Sequence, residues 1–290
     1  MQYQNFPETI SNLISTLVNN LLSSIDSNIF SVLDELAFLK SSSISDKYFL
    51  SFFARQSGVV SLAEALILGV LIYYAISYLF SVITCSNYQK PISFITKLIV
   101  TAILIRFSLS ICEKIIDIFY LISTIVKTIG NVIFSTELSF SVIYTKLKDL
   151  FFSDLSIPFS FFSFDGILRT FISVGFVNLL FTYSIRFIYV KILVLVSPLA
   201  FLSLSLDQSS WIFKIWLKNF ISQLFTQVII CLVLLIIFSL KSTSNPVIVK
   251  LLYVASVVCL MKASSFVKDF SSGFTSDVSS SLSSIKGLFS

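Results

Sequence analysis

Residues 59–84 read VVSLAEALILGVLIYYAISYLFSVIT. The stretch carries one charge, Glu64, near its N-terminal end, and is otherwise almost wholly apolar. A membrane-crossing helix needs about 20 mostly apolar residues, so this run predicts a transmembrane span. The surrounding chain has the same character. Of its 290 residues 56% are hydrophobic and 12% charged, and its mean hydropathy is +0.95. Average soluble domains carry roughly 25% charged residues. A chain this apolar cannot cover a water-facing surface, which excludes a soluble globular fold, a disordered chain, a disulfide scaffold and a coiled coil together.

Moving outward, residues 92–112 (ISFITKLIVTAILIRFSLSIC) follow Pro91 and predict a second span, holding Lys97 and Arg106. Residues 115–135 are apolar at helical spacing but include Asp117, Lys127 and Asn131. They predict an amphipathic helix at the interface or packed in a bundle, with a full span as the alternative. The loop over 136–165 leads into FFSDLSIPFSFFSFDG, with its phenylalanines gathered around Pro158. Contiguous exposed Phe would aggregate in water. The segment therefore reads as interfacial or re-entrant, or as a plug or docking surface for another subunit. Further spans are expected at 167–189, flanked by Arg169 and Arg186, at 219–240, and at 247–267. Between the first two lies 192–206, which contains Ser197-Pro198 and is short for a span. It is followed by SSWIFKIWLKNF, with Trp211 and Trp216 on the apolar side and Lys214 and Lys218 toward headgroups.

Before the first span, Ile10, Leu13, Ile14, Leu17, Val18, Leu21, Leu22 and Ile25 recur at i, i+3, i+4 and i+7. They predict an amphipathic helix after Pro7, capped by Thr9 or Ser11. A second piece follows with Ile29, Phe30, Val32, Leu33 and Leu36, placing Asp34 and Glu35 on its polar side. Residues 1–39 hold no Lys or Arg, so a secretory n-region is not expected. Either this region docks a partner or a second copy, or it rests on the bilayer by apolar burial.

The expected fold is an all-α integral membrane protein of about five transmembrane helices with amphipathic or re-entrant helices. Its organisation is an amphipathic region over 1–58, a first transmembrane pair over 59–112, and a loop with an amphipathic helix and a Phe-rich segment over 113–165. A C-terminal transmembrane region follows over 166–267, containing a half-inserted element at 192–218, and then a mobile Ser-rich tail over 268–290. Cations concentrate on cytoplasmic ends of multi-pass proteins. With 192–206 not crossing, Lys90, Arg186, Lys191, Lys214, Lys218, Lys262, Lys268 and Lys286 fall inside. The N-terminal region, with Glu8, Asp26, Asp34, Glu35 and Asp46, falls outside, so the N-terminus is expected outside and the C-terminus inside.

Reactive chemistry is scarce. The chain has no His, which removes imidazole triads, relays and His-based metal sites. Cys85, Cys112, Cys231 and Cys259 form no CxxC pair and read as small buried side chains. No P-loop, GxGxxG, HExxH or GxSxG occurs. An enzyme is therefore not expected, nor a cofactor or metal. Intramembrane charges mark functional sites by default. Glu64 has Lys97, Arg106 and Arg169 as possible partners, and a pore-facing role is the alternative. Snorkelling to the nearer interface is the plain reading of the cations.

Residues 186–238, RFIYVKILVLVSPLAFLSLSLDQSSWIFKIWLKNFISQLFTQVIICLVLLIIF, resemble part of the polytopic inner-membrane protein of type IV secretion systems, the TrbL/VirB-six family. The shared features are a basic residue at the end of a span (Arg186, Lys191), an apolar run into Ser197-Pro198-Leu199-Ala200-Phe201, a Trp-bearing amphipathic segment (Trp211, Lys214, Trp216, Lys218), and a long span. The layout of the chain is similar as well. The scarcity of Gly and the plain LDQSS turn depart from the family pattern. The resemblance implies a multi-pass protein of the bacterial cytoplasmic membrane that oligomerises, contacts secretion ATPases and core-complex proteins, and helps pass DNA or protein substrate. Two other classes remain open: a small-molecule or ion permease, which would show internal repeats and matched broken spans, and a structural or holin-like membrane subunit.

Overall fold

The computed structural model describes residues 27–53, 58–84, 91–152, 163–206, 208–240 and 246–288, together with Thr9, Leu13 and Thr16. The helix expected over residues 9–25 and most of the Phe-rich segment fall outside the described residues. Those residues form only helices, among them α1 (Ser27–Ala37), α2 (Ser41–Ile44), α3 (Lys47–Phe53), α4 (Val59–Ile83) and α5 (Pro91–Phe134). These are followed by α6 (Phe140–Phe152), α7 (Phe164–Leu202), α8 (Ser210–Ser239) and α9 (Pro246–Leu288). Among the described residues five segments are long and apolar enough to cross a bilayer: Val59–Ile83, Pro91–Phe134, Phe164–Ser205, Ser210–Ser239 and Val247–Val267. The chain is thus an all-α, multi-pass membrane protein.

Local chemistry accounts for the helix boundaries. Pro91 and Pro246 open α5 and α9, where a missing N–H is no loss. Ser139 and Ser163 cap α6 and α7, their hydroxyls accepting from the amides of Val142 (3.3 Å) and Gly166 (3.1 Å). Past the end of α5, Ser135 takes a left-handed conformation at φ 51°, and the Asn131 side chain accepts from the Leu138 amide at 2.8 Å.

Three elements differ from the sequence expectation. Residues 115–135 are not a separate element but continue α5 without a break, because no Gly or Pro interrupts the periodicity between Cys112 and Ile129. At 1.5 Å per residue α5 is about 66 Å long, roughly twice the hydrocarbon thickness. Residues 192–218 are likewise not an independent element: 192–202 end α7, 203–205 form one 3₁₀ turn, and 210–218 begin α8. The Ser-rich tail, expected to be mobile, continues α9 as helix to Leu288.

The chain divides into two compact units. The first draws on Met1–Phe38, Leu121–Arg186 and Phe225–Ser290, the second on Leu39–Tyr120 and Phe187–Leu224. In the first unit α1 packs on α6. Phe30 is buried, stacks on Tyr144 at 4.4 Å and meets Phe176 edge-on at 5.5 Å. Within the same unit α7 approaches α9 at Gly175, where a Cβ would lie 2.8 Å from Val257 Cγ1. The Tyr183 hydroxyl donates to the Leu260 carbonyl at 3.3 Å.

In the second unit α4 and α5 form an antiparallel hairpin. Val60, Ala63, Tyr74 and Ser81 are buried on α4, and Phe94, Thr101, Ile105, Ser108 and Cys112 on α5, the latter at the near-3.5-residue spacing of helix–helix packing. Tyr74 stacks on Phe94 with ring centroids 3.7 Å apart, which sets the register. The ends of α7 and α8 close against this hairpin through Val190, Val194, Phe201, Trp216 and Phe220.

Candidate functional site

The sequence-expected residues converge most strongly in the second unit. Glu64 on α4 meets Arg106 on α5, Oε1 to Nε 3.0 Å, so the structure selects Arg106 among the three cations. The pair is not sealed in: the Glu64 side chain is 31% exposed and that of Arg106 56%.

Along α7, Ser197 is fully buried beside Cys112 of α5, and Pro198 lies inside the helix. Proline has no N–H, so the carbonyl of Val194 loses its helical donor. One residue away the indole Nε1 of Trp216 donates to the Leu193 carbonyl at 2.9 Å, stitching α8 to the weakened turn of α7. Trp216 also stacks on Phe220 at 5.4 Å and lies 5.5 Å from Phe201. Trp211 points away and is 59% exposed, so the two tryptophans, expected on one apolar side, do different work. Lys214 is exposed and Lys218 half-buried.

Serines of the turn joining α7 to α8 bond to its carbonyls. Ser203 donates to the Ala200 carbonyl at 2.7 Å, Ser205 to Leu202 at 2.7 Å, and Ser209 to Ser203 at 2.8 Å. Beside it, a cavity of about 420 Å³ is lined by Leu66, Gly69, Tyr73, Leu202, Gln208 and Trp211, among others. The Tyr73 hydroxyl donates to Gln208 Oε1 at 3.2 Å across it.

Lys191 does not face a headgroup layer opposite the N-terminal region. Its Nζ lies 2.7 Å from Asp46 Oδ2. Ser45 donates to Glu113, and the Ser41 amide approaches Asp117 Oδ1 at 3.4 Å. Charge counting placed Lys191 and Asp46 on opposite sides of the membrane, and direct contact corrects that partition. Counting treats charges as independent, whereas an acid and a base that pair share one level. Arg186, 4% exposed, is likewise no headgroup anchor: its Nη1 donates to the Ala37 carbonyl at 3.0 Å within the first unit. Arg169 is half-buried in that unit, where Asp165 one turn earlier on α7 holds Lys250 of α9 at 2.8 Å.

Asp34, expected on a polar face, is largely buried. Burial raises its carboxyl from 3.8 to about 6, against the lowering effects of Lys127 and the Phe140 amide, while Glu137 raises it further. Its Oδ1 lies 3.4 Å from that amide, at the start of α6. Lys127 sits 3.3 Å from the centroid of the Phe38 ring.

Sequence reasoning gave no site role to Tyr73, Gln208, Asp46 or Glu113. It also passed over the buried polar face of α8 formed by Ser222, Gln223, Thr226 and Gln227. The last had a signal: SQLFTQ repeats polar pairs at i, i+1, i+4 and i+5 inside an apolar run. Such residues join helices in membranes, where no water competes for their hydrogen bonds. Among the described residues no group of three His, Cys, Asp or Glu side chains comes together to hold a metal ion. No protein-family model and no curated protein matches this sequence.

Proposed function

We propose that the chain is a non-enzymatic channel or scaffold subunit of a type IV secretion system, helping to move DNA or protein across the bacterial cytoplasmic membrane. The observation that carries this reading is the 186–238 segment, in which the Ser-Pro run and the Trp-bearing helix form a pinned hairpin through Trp216 and Leu193. A helix pair held this way presents a fixed, partly exposed surface that includes Trp211 and Lys214, suited to a neighbouring subunit. The work of ATP hydrolysis falls to partner ATPases, and the chain works as a homo-oligomer beside core-complex proteins.

In the orientation we propose, the N-terminus lies outside and the C-terminus inside. Lys191 joins Asp46 on the outer side, and the cytoplasmic excess rests on Lys90 and the C-terminal lysines. Reporter fusions at both termini test that arrangement.

The decisive experiment for the function is co-purification of the full chain from native membranes, followed by mass spectrometry. Recovery of secretion ATPases and core-complex proteins is the expected result, and a lone oligomer overturns the reading. In the same host, Pro198→Leu or Lys214→Glu should abolish substrate transfer while leaving membrane insertion intact. Normal transfer by both variants counts against a role for this hairpin.

A further inference from the structure

The α7–α8 turn lies at an unexpected depth. From Ala65 to Thr84 the α4 sequence holds 20 residues without a charge. At 1.5 Å per residue that is about 30 Å, the thickness of the hydrocarbon core. Tyr73 is the ninth of these residues, near the middle. Its bond to Gln208 therefore fixes the α7–α8 turn at mid-bilayer depth in the second unit. Non-helical backbone is tolerated there only when buried in protein or lining a water-filled cavity.

The turn is buried only at its start: Ser203 and Ser205 are covered by protein, while its far end opens outward. Gln208 is exposed, Tyr73 is 46% exposed, and a Cβ on Gly69 would meet nothing within 4 Å. The serine hydroxyls are already committed to the turn's own carbonyls. The Tyr73 proton goes to Gln208 Oε1, which leaves the Gln208 amide N–H groups, among the described side chains of the turn, to the surroundings. An exposed carboxamide in hydrocarbon is strongly disfavoured without a partner.

We propose that the α7–α8 turn is the floor of a water-filled recess reaching the middle of the bilayer, lined on its polar side by Tyr73, Gln208 and Ser209. Its occupant is water or a hydrated polar permeant. The recess stands on α4 crossing the membrane and not on the secretion reading, so either can fail without the other.

The test is thiol accessibility in opened membrane vesicles carrying the full chain, with a charged, membrane-impermeant methanethiosulfonate. Gln208→Cys and Ser209→Cys are compared with Tyr48→Cys, an exposed position on α3, and with Leu79→Cys and Ile99→Cys on the outer faces of α4 and α5. Labelling is scored above that of the unaltered chain. The recess predicts that the turn positions react within about tenfold of Tyr48→Cys, and that Leu79→Cys and Ile99→Cys react at least about a hundredfold more slowly, since access of the thiolate governs the rate. Protection of the turn at the level of Leu79→Cys and Ile99→Cys overturns the proposal. Rapid labelling of Leu79→Cys and Ile99→Cys overturns it as well, because α4 and α5 would then not lie in hydrocarbon.

Discussion

The Nη1 of Arg186, in the middle of α7, donates to the carbonyl oxygen of Ala37, the last residue of α1, at 3.0 Å. The final carbonyls of a helix have no partner within it and form the negative end of its dipole. A buried guanidinium there answers both needs, and it ties the amphipathic N-terminal helix to a membrane span.

Replacement of Arg186 by Met should therefore loosen the C-terminal end of α1. A hydrogen bond to a charged group contributes about 1.5–3 kcal/mol, so local opening should rise by an order of magnitude or more. Hydrogen exchange at the last turn of α1, in detergent or nanodiscs, reads this directly. Unchanged exchange would mean that α1 is held by its other contacts, those of Phe30, Leu33 and Asp34, without this bond.

Asp34 makes the first unit sensitive to pH. Its folded value of about 6 lies above the ordinary 3.8 because burial penalises the carboxylate. Between those values the folded state holds the proton more tightly than the unfolded state. The contribution to stability is full below pH 4 and is lost as pH rises through 6. A shift of this size corresponds to about 3 kcal/mol at most. Asp34→Asn removes the titration, so its melting temperature should exceed that of the parent at pH 7.5 and converge on it near pH 4.5. A gap between the two that stays constant over this range argues against the assignment.

The Glu64–Arg106 pair lets two charges enter an apolar hairpin. A lone charge adds about 2.5–3.5 kcal/mol to insertion at the centre of a membrane helix and less at the edge of the core, where Glu64 stands. Glu64→Gln and Arg106→Gln should each lower the fraction of correctly inserted chain. The exchanged pair, Glu64→Arg with Arg106→Glu, should recover most of it. Topology reporters placed after α5 measure the fraction, and failure of the exchange to rescue would show that the pair adds little.

Two glycines should respond in opposite ways. At Gly175 a methyl group meets Val257 at 2.8 Å, and overpacking of this kind typically adds about 1–3 kcal/mol of strain. At Gly69 a methyl group meets open space, and Ala is the better helix former by up to about 1 kcal/mol. Gly175→Ala should melt lower than the parent in detergent, and Gly69→Ala no lower. Equal melting of the two would remove the close approach of α7 and α9 as a packing constraint.

The spans were legible because they depend on local quantities: apolar length, charge spacing, Pro at helix starts and Ser at caps. Val59–Ile83 and Val247–Val267 emerge close to their expected bounds for that reason. The absence of a break at 113–114 was also present in the sequence, since Glu113 and Lys114 are good helix formers. Polarity alone suggested a boundary there, but helices end where capping or backbone geometry stops them, not where charge appears.

The candidate site was only half legible. Ser197, Pro198, Trp216 and Glu64 were found as unusual residues in apolar runs, but the partners of Trp216 and Glu64 were not fixed by composition. Lys191 pairs with Asp46 across 145 positions of chain, and Tyr73 with Gln208 across 135. Sequence by itself determined that this protein enters a membrane as about five helices, because transfer of apolar length is a property of each segment alone. Only the tertiary structure decided which charges neutralise one another, which tryptophan is buried, and that the α7–α8 turn meets α4 at Tyr73. Those outcomes depend on helix register and on contacts between distant segments, which local pattern does not encode.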